Sequence, residues 1–182
     1  MFDLERFIAD CHAAIGAESP HRAVCEVVAR AVADPSAVLT GLGEPTRAGI
    51  DGLHRSDDLV ILNVVWGPHM TVIPHDHRMW AVIGLYGGQE DNAFFRRVPG
   101  GLEPSGGREV PAKEVLVLGD DAIHSVANTR RDFAVALHVY GGDFFAVDRS
   151  EWDAETYEER PRDLGRTMRL FEEANARWRA QA

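Results

Sequence analysis

Leu4, Phe7, Ile8, Cys11, Ala14 and Ile15 recur at the spacing of a helix that hides one face, and Gly16 follows as a C-terminal stop. Ser19-Pro20 offers an N-cap followed by proline at the first helical position. Val24, Val27, Val28 and Ala31 then lie on one face of a second helix ending near Asp34-Pro35. From Gly41 to Gly52 the chain is rich in Gly, Pro and Thr without a period, which predicts a connection.

The pattern changes at Leu59. The run Leu59 to Trp66 is β-branched and too short to favour helix. Further strand-like runs cover Trp80 to Tyr86, Phe94 to Arg97, Val115 to Leu118, His124 to Asn128, Phe133 to Tyr140 and Phe144 to Val147. Turn signals separate them at Gly87-Gly88, Pro99-Gly100-Gly101, Ser105-Gly106-Gly107, Gly119-Asp120-Asp121 and Gly141-Gly142. Many short strands with glycine-rich turns predict a sandwich or barrel. After Glu151 the chain is charged again, and Leu164, Met168, Phe171 and Trp178 share one face of a C-terminal helix that covers the barrel or joins a dimer.

At 182 residues the chain suits one domain, with 1–40 a helical cap, 53–148 the β-barrel and 160–180 the C-terminal helix. A formal charge of −10 leaves no broad basic surface, which argues against nucleic acid and anionic membrane and for a small-molecule partner. Met1 to Arg6 lacks a basic leader pattern, and no stretch approaches the roughly 20 apolar residues of a membrane span, so a cytoplasmic location is expected. The two cysteines, Cys11 and Cys25, form neither a CxxC pair nor a disulfide framework and read as reduced, packed thiols. The oligomeric state stays open.

The chemistry concentrates at Pro74-His75-Asp76-His77. In an extended chain, residues two apart share a face, so both imidazoles stand side by side while Asp76 points away. His124 follows the Gly119 turn at the head of another strand-like stretch, and in a small barrel a later strand can return beside the first. Three imidazoles on one face leave open positions, the arrangement of a catalytic metal.

Gly67 through His75-Asp76-His77, with Gly84 and Gly87, is similar to the first cupin motif, and Gly119 to His124 with Asn128 is similar to the second. Ala81 and Val82 stand where the first motif carries its glutamate. A three-histidine cupin without that glutamate resembles the thiol dioxygenases, the cysteine dioxygenase-like family; Trp66-Gly67 and Ala136-Leu137-His138-Val139-Tyr140 resemble further segments of that family. The similarity runs from about Leu53 to Val147.

The resemblance implies a mainly β fold, the cupin double-stranded β-helix or jelly-roll barrel, flanked by N-terminal helices and a C-terminal helix. It implies Fe(II) on His75, His77 and His124, a small thiol such as cysteine or 3-mercaptopropionate and O2 as substrates, and a sulfinate product. His138 and Tyr140 are the implied catalytic relay, and Arg55 the implied partner of a substrate carboxylate, with Arg96 and Arg97 as rivals. Two departures stand out. Ala136 replaces the relay serine, and Val82 replaces the cysteine that crosslinks to the tyrosine in some members.

Plainer roles exist for the same residues. His138 can be a hydrogen-bonded core histidine, Tyr140 a barrel aromatic and His69 part of a surface turn, while His12, His21 and His54 show no pattern. A three-histidine cupin can also cleave a β-diketone bound as an enolate, or bind a metal or ligand without turnover.

Overall fold

The computed structural model describes residues 2–181; Met1 and Ala182 lie outside the described residues. α1 (Leu4–Ile15) starts at Asp3, whose carboxylate accepts from the Arg6 amide at 3.0 Å. α2 (Pro20–Val32) and α3 (Pro35–Leu42) each begin on proline. The second helix ends beside Asp34-Pro35 as expected, and the same residues begin a third helix that falls outside the sequence expectation. The Asp34 carboxylate accepts from the Ala37 amide at 3.2 Å, so the residues that stop one helix cap the next.

The strands are β1 (Gly49–Arg55), β2 (Val60–Trp66), β3 (Thr71–Asp76), β4 (Ala81–Gly87), β5 (Gln89–Val98), β6 (Gly101–Pro111), β7 (Val115–Leu118), β8 (Ile123–Ala127), β9 (Ala134–Tyr140), β10 (Ser150–Trp152) and β11 (Glu159–Pro161), before α4 (Leu164–Gln181). They form two antiparallel sheets, ordered β1-β2-β9-β4-β7 and β11-β10-β3-β8-β5-β6. The two sheets face each other across one core, which is the cupin double-stranded β-helix.

The unbroken hydrophobic runs follow from this layering. Leu62, Val64 and Trp66 of β2 and Ala134, Ala136 and Tyr140 of β9 point into the barrel, while Ile61, Val65, Val135, Leu137 and Val139 point out under α1 to α3. A sheet covered on both faces has no polar side to alternate. Gly84 on β4 lets α2 sit this close, since a Cβ there would lie 2.3 Å from Val28 Cγ1.

Three strand assignments differ from the sequence expectation. β1 begins inside the predicted Gly41–Gly52 connection, at Gly49, as a half-exposed edge strand where glycines cost little. Ser105-Gly106-Gly107 is not a turn but the middle of β6, where Ser105 is the extra residue of a bulge opposite Phe94 and Phe95 and Gly106 takes φ +145°. Phe144 to Val147 is not a strand; the Asp143 carboxylate accepts from the Phe145 amide at 3.0 Å and holds the segment as a turn.

α4 lies over the barrel with Phe171 stacked on Trp66 at 5.5 Å, and Asn175 bonds both backbone groups of Ala48, at 2.7 and 2.9 Å. Among the described residues, no helix is long and apolar enough to cross a membrane.

Candidate metal centre

His75 is the penultimate residue of β3, His77 lies one residue beyond the end of that strand, and His124 on β8 is the direct cross-strand partner of His75. Their ligand atoms lie within 4.8 Å of one another, and the three residues are only 6, 3 and 2% exposed. Asp76 turns to the other side, where its carboxylate accepts from the Ser150 amide at 2.7 Å and pairs with Arg78 and Arg97.

In two of the three histidines one ring nitrogen is held as in metal-binding histidines. His75 Nδ1 donates to the Ile73 carbonyl at 2.9 Å and His124 Nδ1 to the Asn92 amide oxygen at 2.8 Å, which leaves the Nε2 lone pairs free. His124 Nε2 and His77 Nδ1 are buried without a hydrogen-bond partner, so the cluster has donor atoms that nothing in the protein satisfies.

Burial, then neighbouring positive groups, holds His75 and His77 well below the usual imidazole range and brings His124 down to about 3. Neutral imidazoles are the ligating form. Ala81 faces the barrel interior, so no carboxylate joins the set. The residues fit a divalent metal on three imidazoles with open positions.

Beside the triad, β9 presents His138 and Tyr140, with His138 Nδ1 3.0 Å from the Tyr140 hydroxyl. The Tyr140 ring meets His77 edge-on at 5.2 Å, and burial pushes its phenol up from its usual range. Ala136 is buried in the same interior cluster and brings no hydroxyl. Val82 belongs instead to the cluster under the helices, and the β4 residue in register with Tyr140 is Ala81. The motif spacing is therefore one residue out at this point, and neither side chain carries sulfur.

Two interior polar residues escaped the sequence reading. Glu90 and Asn92 on β5 lie in Gly88-Gln89-Glu90-Asp91-Asn92, which looks like a polar turn. Strand alternation was the available signal, because Glu90, Asn92 and Phe94 share the inward face. Glu90 is fully buried, accepts from Trp66 Nε1 at 2.6 Å and lies 3.4 Å from His138 Nε2.

The triad, Glu90, His138 and Tyr140 line one chamber of about 250 Å³, otherwise walled mainly by apolar side chains such as Leu62, Val64, Val72, Val126 and Phe144. Phe145, Leu164 and Met168 also line it but stay 44, 38 and 45% exposed, which places them at its opening. The one arginine in the lining is Arg162. Its Nη1 donates to Glu151 at 3.3 Å and its Nη2 to Thr167 at 3.0 Å, while Nε is buried without a partner.

Arg55 does not line the chamber. Its fork is taken by Asp143 at 2.7 Å, and it lies over the rim residue Phe145. Arg96 pairs with Glu103 at 2.9 Å in solvent, and Arg97 bonds Asp76 and Glu159 and covers Trp152, so neither rival enters the site either. His69 is exposed in a turn with φ +55°.

No family model matches the sequence. Structural similarity extends to a cupin superfamily protein from Desulfitobacterium hafniense, at 16% identity over 58% of this chain and 88% of that one, with TM-score 0.46. An RmlC-like cupin with a double-stranded β-helix fold from Methanocaldococcus jannaschii shares 9% identity over 56% of this chain and 86% of that one, with TM-score 0.48. An oxalate oxidase solved with the substrate analogue glycolate shares 17% over 54% of this chain, which spans 53% of that protein, with TM-score 0.44. The fold assignment rests on the strand order itself.

Proposed function

We propose that this protein is an iron-dependent dioxygenase that converts a small thiol carrying an acidic group into its sulfinate, RSH + O2 → RSO2H. The observation that carries this reading is the neutral three-histidine cluster without a carboxylate, sharing one chamber with Tyr140 and the buried Arg162. Iron(II) held by His75, His77 and His124 would supply Lewis acidity toward a thiolate and redox capacity toward dioxygen.

The protein's own groups do the rest. With no ligand carboxylate, the triad leaves the cation's charge undiminished, which favours an anionic sulfur. The free Nε–H of Arg162 suits a carboxylate, as a planar guanidinium does. The apolar walls keep water from the reacting sulfur, and Tyr140 holds a hydrogen-bonding oxygen beside His77. A small-molecule thiol and O2 are then the partners, and the unpaired Cys11 and Cys25 accord with a reducing, cytoplasmic setting.

Oxygen uptake by the iron(II)-loaded protein tests this, with cysteine, 3-mercaptopropionate, cysteamine and a β-diketone offered in turn. One O2 consumed per sulfinate formed, with acid-bearing thiols preferred, is the expected result. Indifference to all thiols would remove the reading. The largely apolar chamber favours one rival, enolate cleavage, which uptake with the diketone alone would reveal. The missing hydroxyl at Ala136 favours the other, binding without turnover, which would show as bound metal and no uptake with any compound.

A further inference from the structure

Glu90 is a fully buried carboxylate in the metal chamber that metal binding does not use. Its Oε1 accepts from the Trp66 indole at 2.6 Å, and the same oxygen lies 3.4 Å from His138 Nε2. An indole nitrogen can only donate. Oε1 is therefore an acceptor whether or not Oε2 carries a proton, and His138 Nε2 faces an acceptor.

Nε2 is buried with no hydrogen-bond partner, and so is Glu90 Oε2. A small carboxylate rotation joins the two residues, as separations of this kind commonly tighten when a site fills. The hydrogen then sits on Nε2, and Nδ1 is left with the lone pair that accepts from the Tyr140 hydroxyl at 3.0 Å. With its single hydrogen committed inward, Tyr140 presents only lone pairs to the chamber.

We infer that Glu90 is a positioning residue that fixes the direction of the His138–Tyr140 relay, making Tyr140 a proton acceptor toward the ligand. The inference rests on Tyr140 acting in the proposed reaction. A serine at position 136 would leave the direction open, since a hydroxyl both donates and accepts; the carboxylate reaching in from β5 does not.

The ligand class follows, namely an acid that arrives protonated, such as a thiol S–H. Its proton goes to Tyr140 Oη while the tyrosine proton passes to His138 Nδ1. The S–H and the original O–H bonds break, a new O–H and an N–H form, the ligand is left as its anion, and the imidazolium rests against Glu90. No electrons are transferred.

The test is ring-nitrogen NMR on zinc-loaded protein labelled with 15N-histidine, with His138 assigned by its loss in His138→Gln. The expected wild-type pattern is a protonated Nε2 and an unprotonated Nδ1. Glu90→Gln keeps it, because Trp66 holds the amide oxygen where Oε1 was. Glu90→Leu lowers the Nε2–H to Nδ1–H ratio about tenfold, the equivalent of one net hydrogen bond.

In the iron-loaded enzyme, Glu90→Leu lowers kcat about tenfold or more with KM within about twofold, because the relay and not ligand contact is lost. Should Glu90→Leu fail to fold, Glu90→Met removes the same acceptor with an unbranched side chain of similar length and lowers the same ratio. A wild-type His138 carrying hydrogen on Nδ1, or an unchanged ratio in a folded Glu90→Leu protein, overturns the inference. If the tautomer is as expected but no thiol reacts, the proposed function fails and the hydrogen-bond direction stands.

Discussion

Replacing Asn92 with alanine removes the oxygen that holds His124 Nδ1 at 2.8 Å while leaving all three clustered imidazoles in place. Asn92 Nδ2 makes no hydrogen bond, so the substitution disturbs little else. Two costs are separable. In the metal-free protein a buried Nδ1–H loses its acceptor, which costs about 1–3 kcal/mol of stability and is read by urea denaturation. In the loaded protein the ring is free to turn or change tautomer, and loss of such an outer partner weakens metal binding about 10- to 100-fold. That is about 1.4–2.8 kcal/mol. Competition against a chromophoric chelator measures it, with Asn92→Asp as the variant that restores an acceptor. Affinity of Asn92→Ala within about twofold of wild type would refute the role of His124 Nε2 as a ligand.

Arg162→Lys keeps the charge but loses the Nε–H that Glu151 and Thr167 leave free, so KM for 3-mercaptopropionate rises about tenfold while kcat/KM for cysteamine, which has no carboxylate, moves less than about twofold; equal effects on both would remove the anchor role. Metal-free protein loses stability in mild acid. His75, His77 and His124 are held below the ordinary 6.5 in the fold, so from about pH 6.5 downward the unfolded chain takes up protons that the fold refuses. The loss continues toward about 3, where folded His124 titrates, at up to about 1.4 kcal/mol per pH unit for each histidine. Urea midpoints that stay flat from pH 7 to about pH 5 would contradict this. Gly84→Ala drives a methyl to 2.3 Å from Val28 Cγ1 and 2.9 Å from Val32 Cγ1. Such overpacking lowers Tm by roughly 3–10 °C, and metal content is expected to stay unchanged because the strain falls on the α2 side of β4.

The three-histidine cluster was legible because histidine spacing maps directly onto strand geometry. His75 and His77 alternate to one side, and the register of β3 with β8 sets His124 opposite His75. The central strands were legible for a similar reason, since burial on both faces leaves unbroken apolar runs. Glu90 and Asn92 were hidden by composition, because Gln89 to Asn92 has the polarity of a surface turn, and their alternation with Phe94 becomes a signal once β5 is extended back to Gln89 along β6. Arg162 was hidden by distance along the chain. It follows the three-residue strands β10 and β11, which carry almost no periodic signal, and its position is set by Glu151 and Thr167. Arg55 looked suitable as an isolated cation, but Asp143, 88 positions later, occupies its fork.

The most direct measurement is metal content and affinity in wild-type protein beside His124→Ala, both loaded anaerobically with iron(II) and checked for folding by circular dichroism. Wild type is expected to hold one iron per chain, and folded His124→Ala is expected to lose most of it, because two imidazoles remain where three converge within 4.8 Å. Equal iron in the folded variant and the wild type, or none in either, would contradict a metal centre on His75, His77 and His124.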